Sequence, residues 1–258
     1  MNSVILEEVT PRVTVILPAY NESDNVGKML QAMGKTLDGI AVSHEVILVD
    51  DGSTDDTRQK AIRTNVPGLR VVWYNENIGK GYALKYGARF ALGKFVFFMD
   101  SDLDIEPSNL VRYLKGVQDA DLVIASKRHP RSKVEEPLMR RMLSLGFHIL
   151  VRLLAGIRVS DTQAGLKAFR SESLRKILPL LTVKNYAFDV EVLTVAQLLK
   201  MRIVELPLTV HQGAHFEVKH IVRMAVDLLG ITYRLRVKHW YQKNLNNRYA
   251  EYKPLIKW

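Results

Sequence analysis

Residues 94–104 read KFVFFMDSDLD. An apolar run of the kind that forms a buried strand drives into three carboxylates, Asp100, Asp102 and Asp104, each two residues from the next. In an extended segment, side chains at i, i+2 and i+4 share one face, which would bring the three within about 6 Å of one another. A pair of like charges at that range repels by roughly 3 kcal/mol at an effective dielectric of 20. Such a cluster stays ionised only in open water or around a cation. It reads either as an acidic, solvated turn or as a site for a divalent metal with hard oxygen ligands.

The same pattern recurs outward from this stretch. VTVIL (13–17), HEVILVD (44–50), LRVVWY (69–74) and DLVIAS (121–126) read as short buried strands. Helical stretches lie between them, near 23–35, 54–64 and 79–92. Alternating strands and helices with short connections predict an α/β fold with a mostly parallel central sheet flanked by helices. In such sheets ligands bind beyond the carboxyl ends of the strands. The second half is less regular. Residues 127–137 predict a loop, with two prolines and both charge signs. Helices are expected at 138–155, at 186–199 and in a long C-terminal segment from about 218 to 243, with short strands at LKAFR (166–170) and 202–206. No repeat and no linker divides the chain. The reading is one domain over 1–258, with a regular half (12–126) and a less regular half (127–258).

Composition narrows the class. The 258 residues are 47% hydrophobic and 25% charged, as in a folded globular protein. Cysteine is absent, which excludes disulfides and thiolate metal sites. Glu7 and Glu8 interrupt the N-terminus, so no signal peptide is expected. No apolar run reaches the 18 or so residues of a membrane span; LSLGFHILVRLLAGI (143–157) is broken by His148 and Arg152. The net charge of +10 divides unevenly, about −4 over residues 1–110 and +14 over 111–258. A basic half points to a phosphate-bearing partner: nucleic acid, anionic lipid or a phosphorylated small molecule. The basic residues show no regular aromatic interleaving and no nucleic-acid-binding motif, so no nucleic acid is expected.

Each strand end carries polar letters beyond what capping needs. In PAYNES (18–23), Asn21 or Ser23 can cap the next helix, which leaves Tyr20 and Glu22 unexplained. In VDDGSTDDT (49–57), Asp50 and Asp51 precede the turn; a carboxylate there can accept from a base N–H or a ribose hydroxyl. In NENIGKGYA (75–83), glycines opening a helix expose N–H groups to an anion, and Lys80 adds a charge. Neither a calcium helix–loop–helix nor an aspartyl phosphatase fits 100–111, since Ile105 and Val111 stand where the former needs Gly and Glu.

PAYNE, VDDGSTDDT, N-x-G-K-G-x-A and D-S-D, in this order and at these spacings, resemble the family 2 glycosyltransferases. DTQAGLKAFR (161–170) and YAFDVEVLTVAQ (186–197) look like the dolichyl-phosphate β-glucosyltransferases, with the dolichol-phosphate mannosyltransferases as close relatives. The resemblance covers roughly 12–235 and implies the A-type glycosyltransferase fold, with a nucleotide-sugar-binding half at 12–126 and an acceptor-binding half at 127–258. It implies a donor site at Pro18, Tyr20, Glu22, Asp50 or Asp51, Lys80, Asp100, Ser101 and Asp102. It implies Mg²⁺ or Mn²⁺ on Asp100 and Asp102, with Asp104 as a further ligand where the mannosyltransferases carry Gln. It implies catalytic roles for Asp102, Lys127, Arg140 and Asp189. An acceptor phosphate would need arginine or lysine to hold it, and the candidates are Lys127 and Arg128 after the fifth strand and Arg140 and Arg141 opening a helix, with Gln163 nearby. The resemblance puts a basic residue near Lys127 and one near Arg140. Asp161 and Glu191 fall in stretches that the family sets near the acceptor or sugar.

The expected reaction is inverting transfer of a hexose, glucose before mannose, from UDP-glucose or GDP-mannose to a dolichyl or polyprenyl phosphate. The setting expected is peripheral, on the cytoplasmic face of an anionic membrane surface. On a helix from Leu138, residues Arg141, Ser144, His148 and Arg152 form a narrow polar stripe on an otherwise apolar cylinder. That pattern suits an interfacial helix and a core-facing helix equally.

Overall fold

The computed structural model describes residues 12–40, 42–211 and 218–245. Strands β1 (Val13–Ala19), β2 (His44–Asp51), β3 (Leu69–Tyr74), β4 (Phe95–Met99), β5 (Leu122–Ala125), β7 (Leu166–Arg170) and β8 (Ile203–Leu206) form one sheet in the order β3-β2-β1-β4-β7-β5-β8. Val, Ile and Phe fill these strands because both faces are covered. Ile16, Ile47, Phe98, Ile124 and Phe169 face one core. Val15, Leu48, Phe97, Val123 and Ala168, one residue out of step, face the other. Helices α1 (Val26–Ile40), α2 (Thr57–Arg63) and α4 (Leu110–Gly116) bury apolar side chains in the second core. Helices α3 (Lys80–Gly87), α6 (Ser171–Ile177) and α7 (Phe188–Leu198) bury theirs in the first.

The mostly parallel sheet is as expected, but β7 enters it antiparallel, between β4 and β5. Phe95 pairs with Arg170 and Met99 with Leu166. The ladder runs one step past the strand ends, where the Asp100 N–H donates to the Gly165 carbonyl at 3.2 Å. Helices α4 and α6, both seven residues long, were not expected.

Two expectations in the second half need correction. Residues 127–137 are not all loop: β6 (Lys133–Glu135) pairs with β9 (Thr209–His211) in a two-stranded parallel sheet. The C-terminal helix is not continuous to 243. Helix α8 (Val218–Thr232) passes into a π-helical turn over Tyr233–Val237. His239 then adopts a left-handed backbone (φ 49°), and α9 (Trp240–Asn244) follows.

Helix α5 (Leu138–Ala155) takes its place as expected, closed by a left-handed Gly156. It buries Phe147, Val151 and Ala155 in the first core and packs beside α8. Leu138, Met139, Met142, Leu145, Ile149, Leu150 and Leu153 remain 48–76% exposed. On α8 and its extension, Val222, Val226, Leu229, Tyr233 and Val237 are 49–66% exposed, at spacings of four, three, four and four. Among the described residues no helix is long and apolar enough to cross a membrane.

Glu191 fastens the C-terminal segment. Its fully buried carboxylate accepts from the Thr182 N–H (2.7 Å), the Val183 N–H (2.8 Å), the Thr182 hydroxyl (2.7 Å) and the Tyr241 hydroxyl (2.5 Å). Arg234 from the π turn adds a charged contact at 3.3 Å. Glu191→Ala strands these donors and is expected to destabilise the protein by about 3–5 kcal/mol. Urea unfolding of the two proteins measures this; a loss below 1 kcal/mol would show that α9 docks without Glu191.

Candidate active site

The carboxyl ends of β1, β2 and β4 open into a cleft of about 500 Å³. Pro18, Tyr20 and Glu22 come from the first strand end, Asp51 from the second, and Asp100, Ser101 and Asp102 from β4. Lys80 opens α3 beside them, and Asn185 and Tyr186 arrive from the segment before α7. Eight side chains named from the sequence thus meet on one wall.

The first two loops are stitched together. The Asn21 N–H donates to Ser53 Oγ (3.0 Å), and the Thr54 N–H donates to Asn21 Oδ1 (2.9 Å). The Glu22 N–H donates to Thr57 Oγ1 (2.7 Å) and the Ser23 N–H to Asp55 Oδ2 (3.1 Å). Asn21 therefore spends its side chain on the neighbouring loop, not on the helix that follows. It sits at φ 54°, a left-handed conformation that asparagine tolerates. Burial raises the Glu22 pKa, and Asp55, Asp100 and Asp104 add to the shift, against a hydrogen bond from Asn25.

Asp50 and Asp51 part company because adjacent strand residues face opposite ways. Asp50 is fully buried away from the cleft, held by Arg58 Nε at 2.7 Å and the Ser53 N–H at 2.9 Å. Asp51 faces the cleft and accepts from the Tyr74 hydroxyl (2.7 Å), Asn77 Nδ2 (3.1 Å) and the N–H groups of Ile78 and Gly79 (2.9 Å each). Burial nevertheless raises its pKa. This corrects the reading of the 75–83 glycines: the N–H groups of Ile78 and Gly79 serve Asp51, not an external anion. Asp51 thereby fixes the start of α3, and so the base of Lys80.

Lys80 Nζ lies 2.6 Å from Asp100 Oδ1. Burial opposes its charge, but Asp100, with Asp189 and Asp102 beyond, raises its pKa above the ordinary lysine value. Asp100 is pressed against bare backbone on its other side: a Cβ at Gly165 would overlap its carboxylate. The strand ends at Met99, so the three aspartates do not share an extended face. A turn follows, with Leu103 at φ 66° and the Asp104 N–H donating to Asp102 Oδ1 at 3.0 Å. A leucine in the left-handed region costs on the order of 1 kcal/mol, the kind of strain that collects at functional sites. Burial, then Asp100 and Asp104, push the Asp102 carboxyl up to about 7.

Asp100 and Asp102 offer the hard oxygen ligands that would suit a divalent cation. Among the described residues no three His, Cys, Asp or Glu side chains are grouped to hold a metal ion. Asp104 is therefore not gathered with the other two as a third ligand.

The residues expected at the acceptor phosphate do not line this cleft. The Lys127 ammonium pairs with Glu136 at 3.6 Å. Arg128 donates to the carbonyls of Ser160 (2.6 Å) and Ser144 (3.2 Å). Arg140 is half-buried and Arg141 exposed on α5, and Gln163 Nε2 reaches Met224 Sδ at 3.6 Å. Asp161 accepts from the N–H groups of Lys127 and Gln163, a loop-fastening role. Asp189 lies buried behind the cleft, 2.9 Å from Lys167 Nζ. Gly165, Asn77, Asn185 and Arg223 escaped the sequence reading; the first three lie within or beside its motifs, whereas nothing in the sequence near Arg223 marks it.

The mostly parallel α/β sheet flanked by helices is the A-type glycosyltransferase fold. Residues 14–178 match the family described as Glycosyl transferase family 2, and the chain belongs to it. It is a glycosyltransferase. It is 30% identical to a dolichyl-phosphate beta-glucosyltransferase of Dictyostelium discoideum, over 88% of this chain and 76% of that protein. It is 35% identical to an undecaprenyl-phosphate mannosyltransferase of Micrococcus luteus, over 77% of this chain and 83% of that one. The crystal structure of glucosyl-3-phosphoglycerate synthase from Mycobacterium tuberculosis in complex with UDP superimposes with a TM-score of 0.66 at 22% identity, covering 86% of this chain and 79% of that one. At that identity the likeness is one of fold.

Gly165→Ala is expected to turn the Asp100 carboxylate aside and weaken Mn²⁺ uptake in the presence of UDP or GDP at least tenfold. The melting temperature should stay within a few degrees, because the displaced atoms belong to a side-chain end. Calorimetric titration checks both arms; unchanged uptake would remove the seating role.

Proposed function

We propose that this glycosyltransferase moves a hexose, glucose in the favoured reading, from a nucleotide sugar to a dolichyl or polyprenyl phosphate at a membrane surface, with Mg²⁺ or Mn²⁺ at the donor diphosphate. The observation that carries this reading is the exposure of the α5 and α8 apolar stripes. The two helices pack together, so the stripes lie on neighbouring elements. Contiguous apolar surface of this kind is rare on soluble monomers and marks an interaction site. Arg141 and Arg152 on α5 are exposed, a charge arrangement that suits an anionic leaflet, at about 1 kcal/mol per basic residue. An acceptor with a long hydrocarbon tail explains that surface; a water-soluble acceptor does not. The curated relatives named dolichyl-phosphate beta-glucosyltransferase point to the same acceptor.

The chemistry follows from the cleft. Pro18, Tyr20, Glu22 and Asp51 would hold the nucleoside side of the donor. Asp100 and Asp102 would hold the dication, which when bound neutralises charge building on the departing diphosphate. Lys80, fixed by Asp100, adds a positive charge beside it. The attacking phosphate oxygen is already ionised at neutral pH, so a strong general base is not required. Positioning and charge balance then carry catalysis, and in-line attack inverts the anomeric centre.

Mannose from GDP-mannose is the second reading, favoured by the mannosyltransferase relative. Radiolabelled UDP-glucose and GDP-mannose, each offered with polyprenyl phosphate, decide between them. Glucose is expected in the lipid fraction with Mg²⁺ or Mn²⁺ and none after chelation. Incorporation of mannose alone would establish the second reading, and incorporation of neither would overturn both.

Flotation with vesicles tests the membrane reading independently. Leu145→Asp combined with Leu229→Asp replaces exposed side chains, so the fold should persist. Binding to anionic vesicles is expected to fall at least tenfold. Undiminished binding would exclude these stripes as the contact.

A further inference from the structure

Arg223 is a cation on the cleft wall that the sequence did not single out. It is carried by α8, whose outward stripe is apolar: Val222, the residue before it, is 59% exposed, and Val226, three residues on, is 62% exposed. Successive helical residues turn by about 100°, so Arg223 looks off the edge of that stripe toward the cleft. Among the described residues, none forms a hydrogen bond or ion pair with its guanidinium. Asp227, one turn further on, is the ordinary partner for an arginine on a helix. Its charge and that of Arg223 act on each other, but the two form no ion pair among the described residues, and its buried Oδ2 has no hydrogen-bond partner there. The other cation on the wall, Lys80, is already committed to Asp100. Of the cations expected to meet an acceptor phosphate, Lys127 is paired with Glu136, and Arg128 with two carbonyls.

We propose that Arg223 receives the phosphate of the acceptor. One helix then presents both parts of a polyprenyl phosphate with complementary chemistry: a guanidinium for the phosphate and, beside it, an apolar stripe for the hydrocarbon. The planar fork of arginine suits the bidentate capture that a phosphate monoester offers. The acceptor enters over α8, and its phosphate reaches the cleft that the donor residues of β1 and β2 also line. This assignment rests on the proposed acceptor class.

The test is steady-state transfer from the productive nucleotide sugar by the wild-type protein, Arg223→Ala and Arg223→Lys. Two acceptors are used: citronellyl phosphate in solution and a long polyprenyl phosphate in vesicles. Arg223→Ala is expected to raise KM at least tenfold for both acceptors while donor KM changes less than twofold, with Arg223→Lys partly restoring acceptor KM. Flotation of Arg223→Ala on acceptor-free vesicles should match the wild type. Melting temperatures identify any variant that is merely unfolded, and Arg223→Lys then carries the comparison. A rise in donor KM equal to that for acceptor would assign Arg223 to the donor and overturn the proposal. So would an unchanged acceptor KM, or a loss confined to the vesicle acceptor. Wild-type protein that transfers sugar to neither prenyl phosphate would instead overturn the acceptor class, and the role of Arg223 with it.

Discussion

The whole site depends on how one carboxylate is confined. Asp100 lies between the Lys80 ammonium and the bare backbone of Gly165, and neither neighbour is local in sequence. Each is brought there by a separate piece of the fold. Lys80 stands where it does because Asp51, at the end of β2, binds the N–H groups that open α3. Gly165 stands where it does because β7 enters the sheet antiparallel and pairs with β4 to the last residue. Remove Lys80 and Asp100 is left to repel Asp102, whose own carboxyl is already pushed up by burial and by its Asp100 and Asp104 neighbours. The sheet order is therefore an electrostatic device as well as a packing solution.

Much of this was legible in the letters, for a physical reason. Strands buried on both faces need unbroken Val, Ile and Phe, and ligand residues must follow them at the carboxyl end, so both signals are short-range. Tyr20, Glu22, Asp51, Lys80, Asp100 and Asp102 were found that way, whereas Pro18 and Ser101 came from the resemblance to the family. What could not be read depends on pairing across the chain. The antiparallel entry of β7 is invisible in LKAFR, whose composition suits either direction. The choice of Asp51 over Asp50 follows from strand register, since a shift of one residue exchanges the two faces. Arg128 looked like a phosphate ligand because its true partners, the carbonyls of Ser144 and Ser160, lie 16 and 32 residues away.

The three-aspartate reading failed for a different reason. It assumed that the strand continued through residue 104. Leu103 breaks that assumption by adopting a left-handed backbone, which no propensity scale favours for leucine. The turn swings Asp104 out of line and returns its N–H to Asp102. Strain at such a place is consistent with selection for geometry over stability, and local rules are least reliable where geometry is under that demand.

Helices α5 and α8 pose the opposite problem. Their periodicity was plain in the sequence, yet a stripe facing a core and a stripe facing a bilayer obey the same spacing. Only the packed structure separates the two. Helix α5 commits Phe147, Val151 and Ala155 to the core, and the rest of its apolar surface stays outside. Helix α8 does the same with Leu228 and Ile231 inward and Val222, Val226 and Leu229 outward. A helix that is apolar on two sides is ordinarily buried on both. Keeping one side in water is unfavourable by roughly 25 cal/mol for each Å² of apolar surface left uncovered. That penalty is relieved only when something apolar covers it, and in the proposed function that cover is the membrane surface that carries the acceptor.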